Sequence, residues 1–376
     1  MELEFSAEQD DLRDGVRAVL ARECPMSLVR AVVEDGAVPE ALWKQMVELG
    51  WPALTVPEEL GGLGLGTVEL AVVVEELGRV DAPGPFMSTV CQFAPAIREV
   101  GDDRARRRFL PEVASGAITG ALAVTEPGRC AGPAAVEATA TRDGGAWTLS
   151  GTKSAVLGGD AADELVVVAR QPGTHGDEGV LALVVPRDAV GVTPSRAFDP
   201  TRGLATVDLS GARVEDDRRL GEPGPATAAA LRRALEEATV SLAVEVVGTC
   251  QTILDVTLDY AKQREQFGVP IGSFQAIKHK FADMLIALER ARATAYFAAL
   301  CQAEDDAGRA LATSTAKVAA GDCQQRMAKE GIQIHGGIGY TWEHDMHLYV
   351  RRVKTDAQLF GTADEHRARI AQLLGL

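Results

Sequence analysis

The spacing of apolar residues changes twice along the chain and divides it into three parts. Over residues 1–117 apolar residues recur at three- and four-residue steps, which is typical of amphipathic helices. Between 118 and 223 they form short runs separated by turn residues, which is typical of strands. Over residues 224–376 the helical spacing returns in long segments. The pattern predicts an α+β multidomain protein with an N-terminal helical domain, a middle β-barrel or sandwich domain and a C-terminal four-helix bundle.

The first part contains the clearest helix start. Ser6 and Gln9 have the spacing of a capping box, in which each side chain bonds the other residue's backbone N–H. Apolar residues that share one helical face follow: Leu12, Val16, Val19 and Leu20. Two further helices are expected, one starting near Pro39 with Leu42, Met46 and Leu49, and one capped by Thr67 with Leu70, Val74 and Leu77.

The other two parts show strands and then long helices. The turn signal Asp143-Gly144-Gly145 precedes a strand-like run at Trp147, and similar runs cover Leu165–Ala169, Val180–Val185 and Thr206–Leu209. In the last part, three long helices are predicted: one through Leu231–Ile253, one starting near Ser273 with Phe274, Ile277, Phe281, Leu285 and Leu288 on one face, and one over Arg309–Glu330.

Composition constrains the partners and the compartment. The chain has 376 residues and a formal net charge of −16, which argues against nucleic acid because its phosphates would be repelled. The first residues are acidic and lack the basic and apolar segments of a secretory signal, and no apolar run approaches the ~18 residues of a membrane span. The six cysteines are scattered without a C-x-x-C pair. We therefore expect free thiols, a cytoplasmic location and no membrane span.

One string joins two of the predicted long helices: Arg-Glu-Gln-Phe-Gly-Val-Pro-Ile-Gly-Ser-Phe-Gln, residues 264–275. Arg264 offers a guanidinium for phosphate, Phe267 a ring for adenine and Gln275 a bidentate amide. On spacing alone a plain turn is the better interpretation, with Gly268 and Pro270 as turn residues, Ser273 as N-cap and Phe274 in the core.

A second string, Gln-Ile-His-Gly-Gly-Ile-Gly-Tyr over residues 333–340, follows the third long helix. Gly336 and Gly337 let the backbone approach a ligand closely, and their N–H groups can cradle a phosphate. A glycine that ends a helix and opens a loop is the alternative interpretation.

Together, in this order and at this separation, the two strings resemble the acyl-CoA dehydrogenase family. The resemblance covers essentially the whole chain, including the glycine-rich loop over Glu58–Gly64. It implies FAD as the cofactor, an acyl-CoA thioester as the substrate and an electron-transfer flavoprotein as the electron acceptor. In that family the flavin lies between the β domain and the bundle, and its adenosine end reaches a neighbouring subunit. The resemblance assigns cofactor contacts to Arg264, Phe267, Gln275, Gln333, Gly336, Gly337, Thr125 and Thr362.

The part that would hold the chain's own flavin departs from the family pattern. The family's β domain has Thr-Glu-Pro followed by Gly-Ser-Asp; here Thr125-Glu126-Pro127-Gly128 is followed by Arg129-Cys130-Ala131. The next family signature places a tryptophan and a hydroxyl residue beside the flavin ring, and this chain has Ala155 and Leu157 there. A methyl group cannot stack like an indole, and leucine cannot form a hydrogen bond to the flavin.

The family's catalytic base is also missing. A glutamate normally precedes a Gly-Thr pair near the carboxyl end; here the pair is Gly361-Thr362, and Phe360 precedes it. A minority of the family places the base on the first long helix of the bundle, where this chain has Ala238, followed by Thr239 in place of an arginine. Neither phenylalanine nor alanine accepts a proton.

Other acids and smaller signals leave alternatives open. Glu236 and Glu237 point away from the Ala238 direction at ~100° per residue. Glu245 returns to that face about 10 Å along the axis, so it is a weak candidate base, and a buried ion pair is the preferred interpretation.

His344 and His347 loosely resemble a metal pair, but no further ligands join them, and no metal is predicted. The basic run at Arg104, Arg106, Arg107 and Arg108 is typical of a solvated helix face, and Thr362 with Glu365 forms a capping box.

Three functional readings follow from this resemblance. In the first, the chain is the base-lacking subunit of a heteromeric enzyme, and it completes the FAD site of a related subunit that oxidises a bulky acyl-CoA thioester. In the second, it is a self-sufficient homo-oligomeric dehydrogenase with an unusual base such as Glu245. In the third, it is a flavin oxidase, a monooxygenase or a structural subunit on the same fold. No catalytic residue is assigned.

Overall fold

The computed structural model of the chain describes residues 5–128 and 132–376. The α-helices are α1 (Ala7–Glu23), α2 (Met26–Asp35), α3 (Glu40–Glu48), α4 (Thr67–Arg79), α5 (Phe86–Ser88), α6 (Ala94–Val100), α7 (Asp103–Ala114), α8 (Pro225–Gln263), α9 (Gln275–Ala303), α10 (Arg309–His335), α11 (Met346–Asp356) and α12 (Ala363–Leu373). The strands are β1 (Gly120–Ala123), β2 (Thr139–Asp143), β3 (Ala146–Ser150), β4 (Thr152–Val156), β5 (Glu164–Arg170), β6 (Val180–Pro186), β7 (Gly191–Pro194), β8 (Ala205–Asp208), β9 (Arg213–Glu215), β10 (Arg219–Leu220), β11 (Glu265–Gln266) and β12 (Val269–Pro270).

Helices, then strands, then long helices follow one another along the chain, and this confirms the predicted α+β class. Two compact units form: one from residues 1–36, 67–82 and 239–376, the other from residues 37–66 and 83–238. The three-domain division with boundaries after 117 and 223 stays a prediction.

The second unit contains two sheets. The larger has the order β10-β6-β5-β2-β3-β9, and β1 runs parallel to β5; the smaller is β4-β8-β7. β5 and β6 pair along their full length and are almost entirely buried, because their Val, Leu and Ala side chains pack on both faces. The predicted strands at Trp147 and over residues 165–169, 180–185 and 206–209 are confirmed in β3, β5, β6 and β8.

The helix starts near Ser6 and Pro39 agree with the sequence, whereas the role of Thr67 and the end of α3 differ. The capping box of Ser6 and Gln9 is present at the start of α1. Thr67 is not a cap but the first residue of α4, and its hydroxyl donates to the carbonyl of Ala299 at 2.7 Å. Leu49 lies beyond the end of α3 and is exposed, because the helix ends at Glu48 before the left-handed Gly50.

The predicted apolar face of α9 is right in part. Leu288 is buried and Ile277 and Phe281 are half-buried, but Leu285 is exposed. The buried side continues through Met284 and, further along, Ala291, Ala295 and Ala298. Small alanines let α9 pack closely on its neighbours in this second half.

In the first unit, α4 and α8 cross with their backbones in contact. A Cβ at Gly78 would lie 2.1 Å from the carbonyl oxygen of Glu245, and a Cβ at Gly248 would lie 2.0 Å from that of Glu75. Neither glycine has a positive φ, so close approach alone requires glycine at these positions.

Replacing Gly78 by alanine is expected to lower the free energy of unfolding by about 1–3 kcal/mol, because α4 must move away from α8 to admit one methyl group. Urea denaturation measures the change. Gly15→Ala in the exposed part of α1 is the matched control, since its Cβ would meet nothing within 4 Å, and it should not destabilise the protein. Equal midpoints for wild type and Gly78→Ala would contradict the close crossing.

Among the described residues, α8 has the length and the composition of a membrane-spanning helix. Most of its apolar stretch is buried inside the protein, which is typical of the core helix of a folded domain.

Candidate functional site

The string at residues 264–275 folds as a short hairpin between α8 and α9. β11 pairs antiparallel with β12, and Phe267 and Gly268 connect them with φ values of 56° and 79°. Positive φ at both central residues defines a type I′ turn, which favours asparagine and glycine. Phe267 is therefore a bulky residue in a left-handed conformation that costs about 1–2 kcal/mol, and its side chain is 93% exposed.

Arg264 and Gln275 flank this hairpin. Both side chains are exposed, and the carbonyl of Arg264 accepts a hydrogen bond from the N–H of Ile271 at 2.7 Å. Within residues 5–128 and 132–376, Arg264 forms no ion pair, so its guanidinium is free for an anion. The plain-turn interpretation was wrong at two positions: the Ser273 hydroxyl donates to Pro270, and Phe274 precedes α9 and is partly exposed.

The second string lies at the end of α10. Gln333, Gly336 and Gly337 are all exposed, and Gly336 follows the helix with a φ of 65°. A Cβ at either glycine would meet nothing within 4 Å, so open space lies beside this backbone. Glycine is needed at Gly336 for its conformation, and both glycines leave room for a ligand.

Tyr260 brings the two strings together. Its ring stacks on His335 at a centroid distance of 4.4 Å and an interplanar angle of 23°. The carbonyl of Tyr260 accepts a hydrogen bond from the N–H of Arg264, and His335 immediately precedes Gly336. The guanidinium, the exposed ring and the glycine loop therefore lie at one end of the first unit. This contact was not predicted, although the sequence has an aromatic residue one helical turn before Arg264.

In the second unit, a buried ion pair fixes the loop that carries Thr125. The Nζ atom of Lys153 lies 2.7 Å from Oε1 of Glu126, and the carboxylate also accepts from the N–H groups of Glu137 and Ala138 at 2.8 and 2.9 Å. Thr125 is half-buried, and its carbonyl accepts from the N–H of Ser154 at 2.9 Å. Residues 129–131, where the Gly-Ser-Asp sequence is absent, lie outside the described residues.

Burial and the ion-pair partner shift the pKa of each group in opposite directions. Burial lowers the pKa of Lys153 to about 8, although Glu126 favours the charged ammonium. Burial acts to raise the pKa of Glu126, but the charge and hydrogen bond of Lys153, together with the N–H groups of Ala138 and Glu137, outweigh it and hold that pKa below its usual range. Near neutral pH both groups are charged, and Glu126 offsets part of the cost of burying the Lys153 ammonium.

Ala155 and Leu157 occupy different environments. The pairing of β4 with β8 shifts register between Lys153 and Val156, and Ala155 sits at this irregularity with a φ of 49° and an exposed methyl group. Leu157 is buried. This surface therefore presents no aromatic ring and no hydroxyl at either position.

The two positions where the family places its base are without a carboxylate. Phe360 has a φ of 56°, and its carbonyl accepts from Nε2 of His366 at 2.9 Å. Thr362 forms the predicted capping box with Glu365, and its hydroxyl lies 3.0 Å from the Glu365 carboxylate. Ala238 is buried. The loop around Phe360 is thus held in a strained conformation by its neighbours, although its side chain cannot accept a proton.

The predicted buried ion pair of Glu245 is confirmed. Its carboxylate lies 2.9 Å from Nη1 of Arg352, and Nε of Arg352 lies 3.1 Å from the carboxylate of Asp81. The side chains of Glu245 and Arg352 are fully buried. A carboxylate enclosed in this way has no surface to present to a substrate.

His344 and His347, the two histidines that loosely resemble a metal pair, make contacts with neighbouring residues of the chain. Nδ1 of His344 accepts from the N–H of Met346 at 3.1 Å, and His347 packs against Trp342. Among the residues the structure describes, no group of three or more metal-ligating side chains could hold an ion. Arg104, Arg106 and Arg108 each pair with a nearby aspartate, as a solvated helix face does.

Comparison with known proteins defines the class. The N-terminal, middle and C-terminal domains of acyl-CoA dehydrogenases match residues 6–117, 121–216 and 228–375. The chain therefore belongs to the acyl-CoA dehydrogenase family, FAD-dependent oxidoreductases that act on CH–CH bonds.

Individual similar proteins show which members of the family this chain resembles. The chain is 34% identical over 365 residues to the acyl-CoA dehydrogenase IpdE2 of Mycobacterium tuberculosis, covering 96% of each protein. A variant of the Tcur3481-Tcur3483 steroid ACAD is similar, with 31% identity, a TM-score of 0.87 and 98% coverage of both chains. The ChsE4-ChsE5 complex from Mycobacterium tuberculosis matches with 27% identity and a TM-score of 0.89, covering 100% of this chain and 99% of that one. Its similar proteins thus include heteromeric and steroid-type members of the family.

Proposed function

We propose that this chain is the base-lacking subunit of a heteromeric acyl-CoA dehydrogenase and that it completes the FAD site of a related subunit. Bound FAD would supply the hydride acceptor for the dehydrogenation of the acyl-CoA thioester. In this proposal Arg264 binds phosphate, Phe267 covers the adenine and Gln275 supplies an amide. Gln333, Gly336 and Gly337 form the second contact, while Thr125 and Thr362 remain weaker candidates on this chain's own side.

One contrast carries the proposal. The groups that would hold a neighbour's FAD are present, exposed and gathered at one end of the first unit by Tyr260. The groups that would hold and use this chain's own flavin are replaced: Ala155 and Leu157 give no ring and no hydroxyl, and Phe360 and Ala238 give no carboxylate. Strain at Phe267 supports a role beyond this chain, because an exposed phenylalanine gains no burial that would offset its left-handed conformation.

The proposed substrate is a bulky, ring-containing acyl-CoA thioester. The support comes from the steroid ACAD among the similar structures. An electron-transfer flavoprotein is the proposed electron acceptor. Catalysis would then require the partner's carboxylate to remove the α-proton.

Flavin absorbance per chain tests the proposal. Purified alone, the chain should be colourless and inactive. Co-expressed with a related subunit that has the glutamate and the tryptophan, it should carry about one flavin per two chains, as expected for a two-fold symmetric heteromer. A flavin-replete, active homo-oligomer would overturn the proposal and favour the self-sufficient reading, and steady oxygen consumption would favour an oxidase.

A single substitution tests whether Arg264 contributes to the shared FAD site. Arg264→Ala is expected to weaken FAD retention in the complex by about tenfold or more, because a charge-assisted contact to phosphate is lost. Arg104→Ala is the matched control, since Arg104 is an exposed arginine on α7 whose partner is Asp102. Flavin release during dilution measures retention. Equal release rates for wild type and Arg264→Ala would contradict the role of Arg264.

A further inference from the structure

A buried histidine ends α10 directly before the glycine loop, the short turn over Gly336–Tyr340. The side chain of His335 is buried, and its Nδ1 lies 2.8 Å from the carbonyl oxygen of Gly331. Because a carbonyl only accepts, Nδ1 carries the proton of the neutral ring, and Nε2 is left as an acceptor. Nε2 is buried and has no hydrogen-bond partner among the residues that the structure describes.

The packing of His335 ties the glycine loop to its surroundings. Two titratable side chains face the ring: Tyr260 of α8 stacks on it at 4.4 Å, and His344 approaches it at a steep angle with the centroids 4.7 Å apart. The hydroxyl of Tyr260 also lies 3.5 Å from the main-chain carbonyl of His335. Within the loop, a Cβ at Gly339 would lie 3.0 Å from Cβ of His335, so the turn folds closely over this residue. The position of Gly336 therefore depends on where the His335 ring lies.

The surroundings of the ring favour its neutral form. Burial lowers the pKa of His335 from its ordinary value of 6.5, the hydrogen bond to Gly331 acts against this, and a charge on His344 lowers the pKa further. Among the described residues, no carboxylate raises the pKa of His335. Asp345, beside His344, is paired with Arg30 at 2.7 Å. A proton on Nε2 would thus be a buried charge without a counter-ion, which is strongly disfavoured.

We propose that His335 is a positioning residue that holds the glycine loop in place only while its ring is neutral, so that protonation of the ring releases the loop. This inference rests on the proposed FAD contact of Gly336 and Gly337 and adds its control by pH. A protonated ring becomes hydrated only by leaving the space beside Tyr260, and the adjacent Gly336 moves with it. Since the released ring has the higher pKa, release takes up a proton and is favoured as the pH falls below 6.5.

FAD binding by the assembled heteromer tests this control. The dissociation constant of FAD would be measured at about pH 7.5 and about pH 5.5, one unit on either side of the ordinary histidine pKa. For wild type it is expected to rise several-fold at the lower pH, by up to about tenfold, because the released ring is then protonated about ten to one. His335→Phe keeps a ring beside Tyr260 but cannot be protonated, so this rise should be absent.

Two further variants complete the comparison. His335→Leu is a second side chain that does not titrate, and it replaces His335→Phe if the larger ring lowers the melting temperature at about pH 7.5. His175→Gln is the matched control, since His175 is an exposed histidine of the other unit. It should show the same pH dependence as wild type.

Hydrogen–deuterium exchange of the chain alone tests the same step without FAD. At about pH 5.5 the backbone amides of residues 336–340 should exchange faster in wild type than in His335→Phe, because only the wild-type ring is protonated. At about pH 7.5 the two proteins should exchange equally. Comparing proteins at one pH removes the effect of pH on the chemistry of exchange itself.

The outcomes separate this inference from the proposed function. Equal exchange of wild type and His335→Phe at both pH values overturns the positioning role of His335. If exchange differs as expected while Arg264→Ala leaves flavin retention unchanged, His335 holds the loop and the shared FAD site fails. If Arg264→Ala weakens retention while wild type and His335→Phe bind FAD with the same pH dependence, the shared site stands and its control by His335 is overturned.

Discussion

Replacing Arg352 by methionine is expected to lower the free energy of unfolding by about 3–5 kcal/mol, because two buried carboxylates lose the guanidinium that pairs with both of them. Nη1 of Arg352 lies 2.9 Å from the Glu245 carboxylate, and Nε lies 3.1 Å from the Asp81 carboxylate. Nη2 donates to the carbonyls of Asp81 and Ala82 at 3.1 and 3.3 Å. Methionine has a similar length and no charge, so the change removes the ion pairs with little loss of volume.

Urea denaturation of the purified chain measures this effect. Arg352→Lys is the conservative control: it keeps the charge but loses the forked guanidinium, and it should lie between wild type and Arg352→Met. If Arg352→Met fails to fold while Arg352→Lys folds with reduced stability, the interpretation stands. An Arg352→Met protein as stable as wild type would contradict it.

The same ion pairs decide the role of Glu245. If its function is structural, Glu245→Gln should destabilise the chain while the assembled enzyme that remains folded keeps its turnover rate. A catalytic base would give the opposite result, with lost turnover and little change in the unfolding midpoint. The full burial of Glu245 against Arg352 favours the first outcome.

Replacing Lys153 by methionine is expected to lower the free energy of unfolding by about 3–5 kcal/mol, because it leaves the Glu126 carboxylate buried without the Lys153 cation. Among the described residues, the N–H donors of Glu137 and Ala138 would remain to Glu126. The double variant Lys153→Met with Glu126→Gln is the matched control, since it removes both charges and should be more stable than Lys153→Met alone. Denaturation midpoints of the three proteins check this, and a double variant less stable than the single one would contradict the ion-pair account.

The lowered pKa of Lys153 also predicts that the stability of wild type and of Lys153→Met depends differently on pH. The pKa of Lys153 is about 8 in the folded chain and 10.5 in its unperturbed state. Between these values the unfolded chain binds more protons than the folded one, so the contribution of Lys153 to stability rises as pH increases and is lost as pH falls toward 8. The stability of wild type relative to Lys153→Met should therefore increase from pH 8 to pH 10. A constant difference across that range would contradict the lowered pKa.

Local patterns in the sequence were sufficient for several features. Helices and strands followed from residue spacing, and the capping boxes at Ser6 and Thr362 formed as their side-chain chemistry requires. Motifs identified the family, because turns, glycines and ligand-binding side chains are read over a few neighbouring residues. The absence of a carboxylate at Phe360 and Ala238 is likewise a property of the sequence alone.

Features that depend on long-range packing could not be read in this way. Leu285 of α9 is exposed although Leu288 is buried, because the exact side of a helix that is covered depends on where its neighbours pack. The partners of Glu245 lie far away in the sequence, at Arg352 and Asp81, and no spacing rule connects them. Backbone contact at Gly78 and Gly248 depends on where two helices cross.

By itself, the sequence determined the fold class, the family and the absence of a carboxylate at Phe360 and Ala238, since each depends on residue identity and short-range periodicity. Only the tertiary structure decided that Tyr260 gathers the hairpin and the glycine loop at one end, that Phe267 is strained and exposed, and that Glu245 is enclosed. Those facts arise from contacts between residues distant in the chain, whose geometry is set by how whole helices pack and not by any local preference.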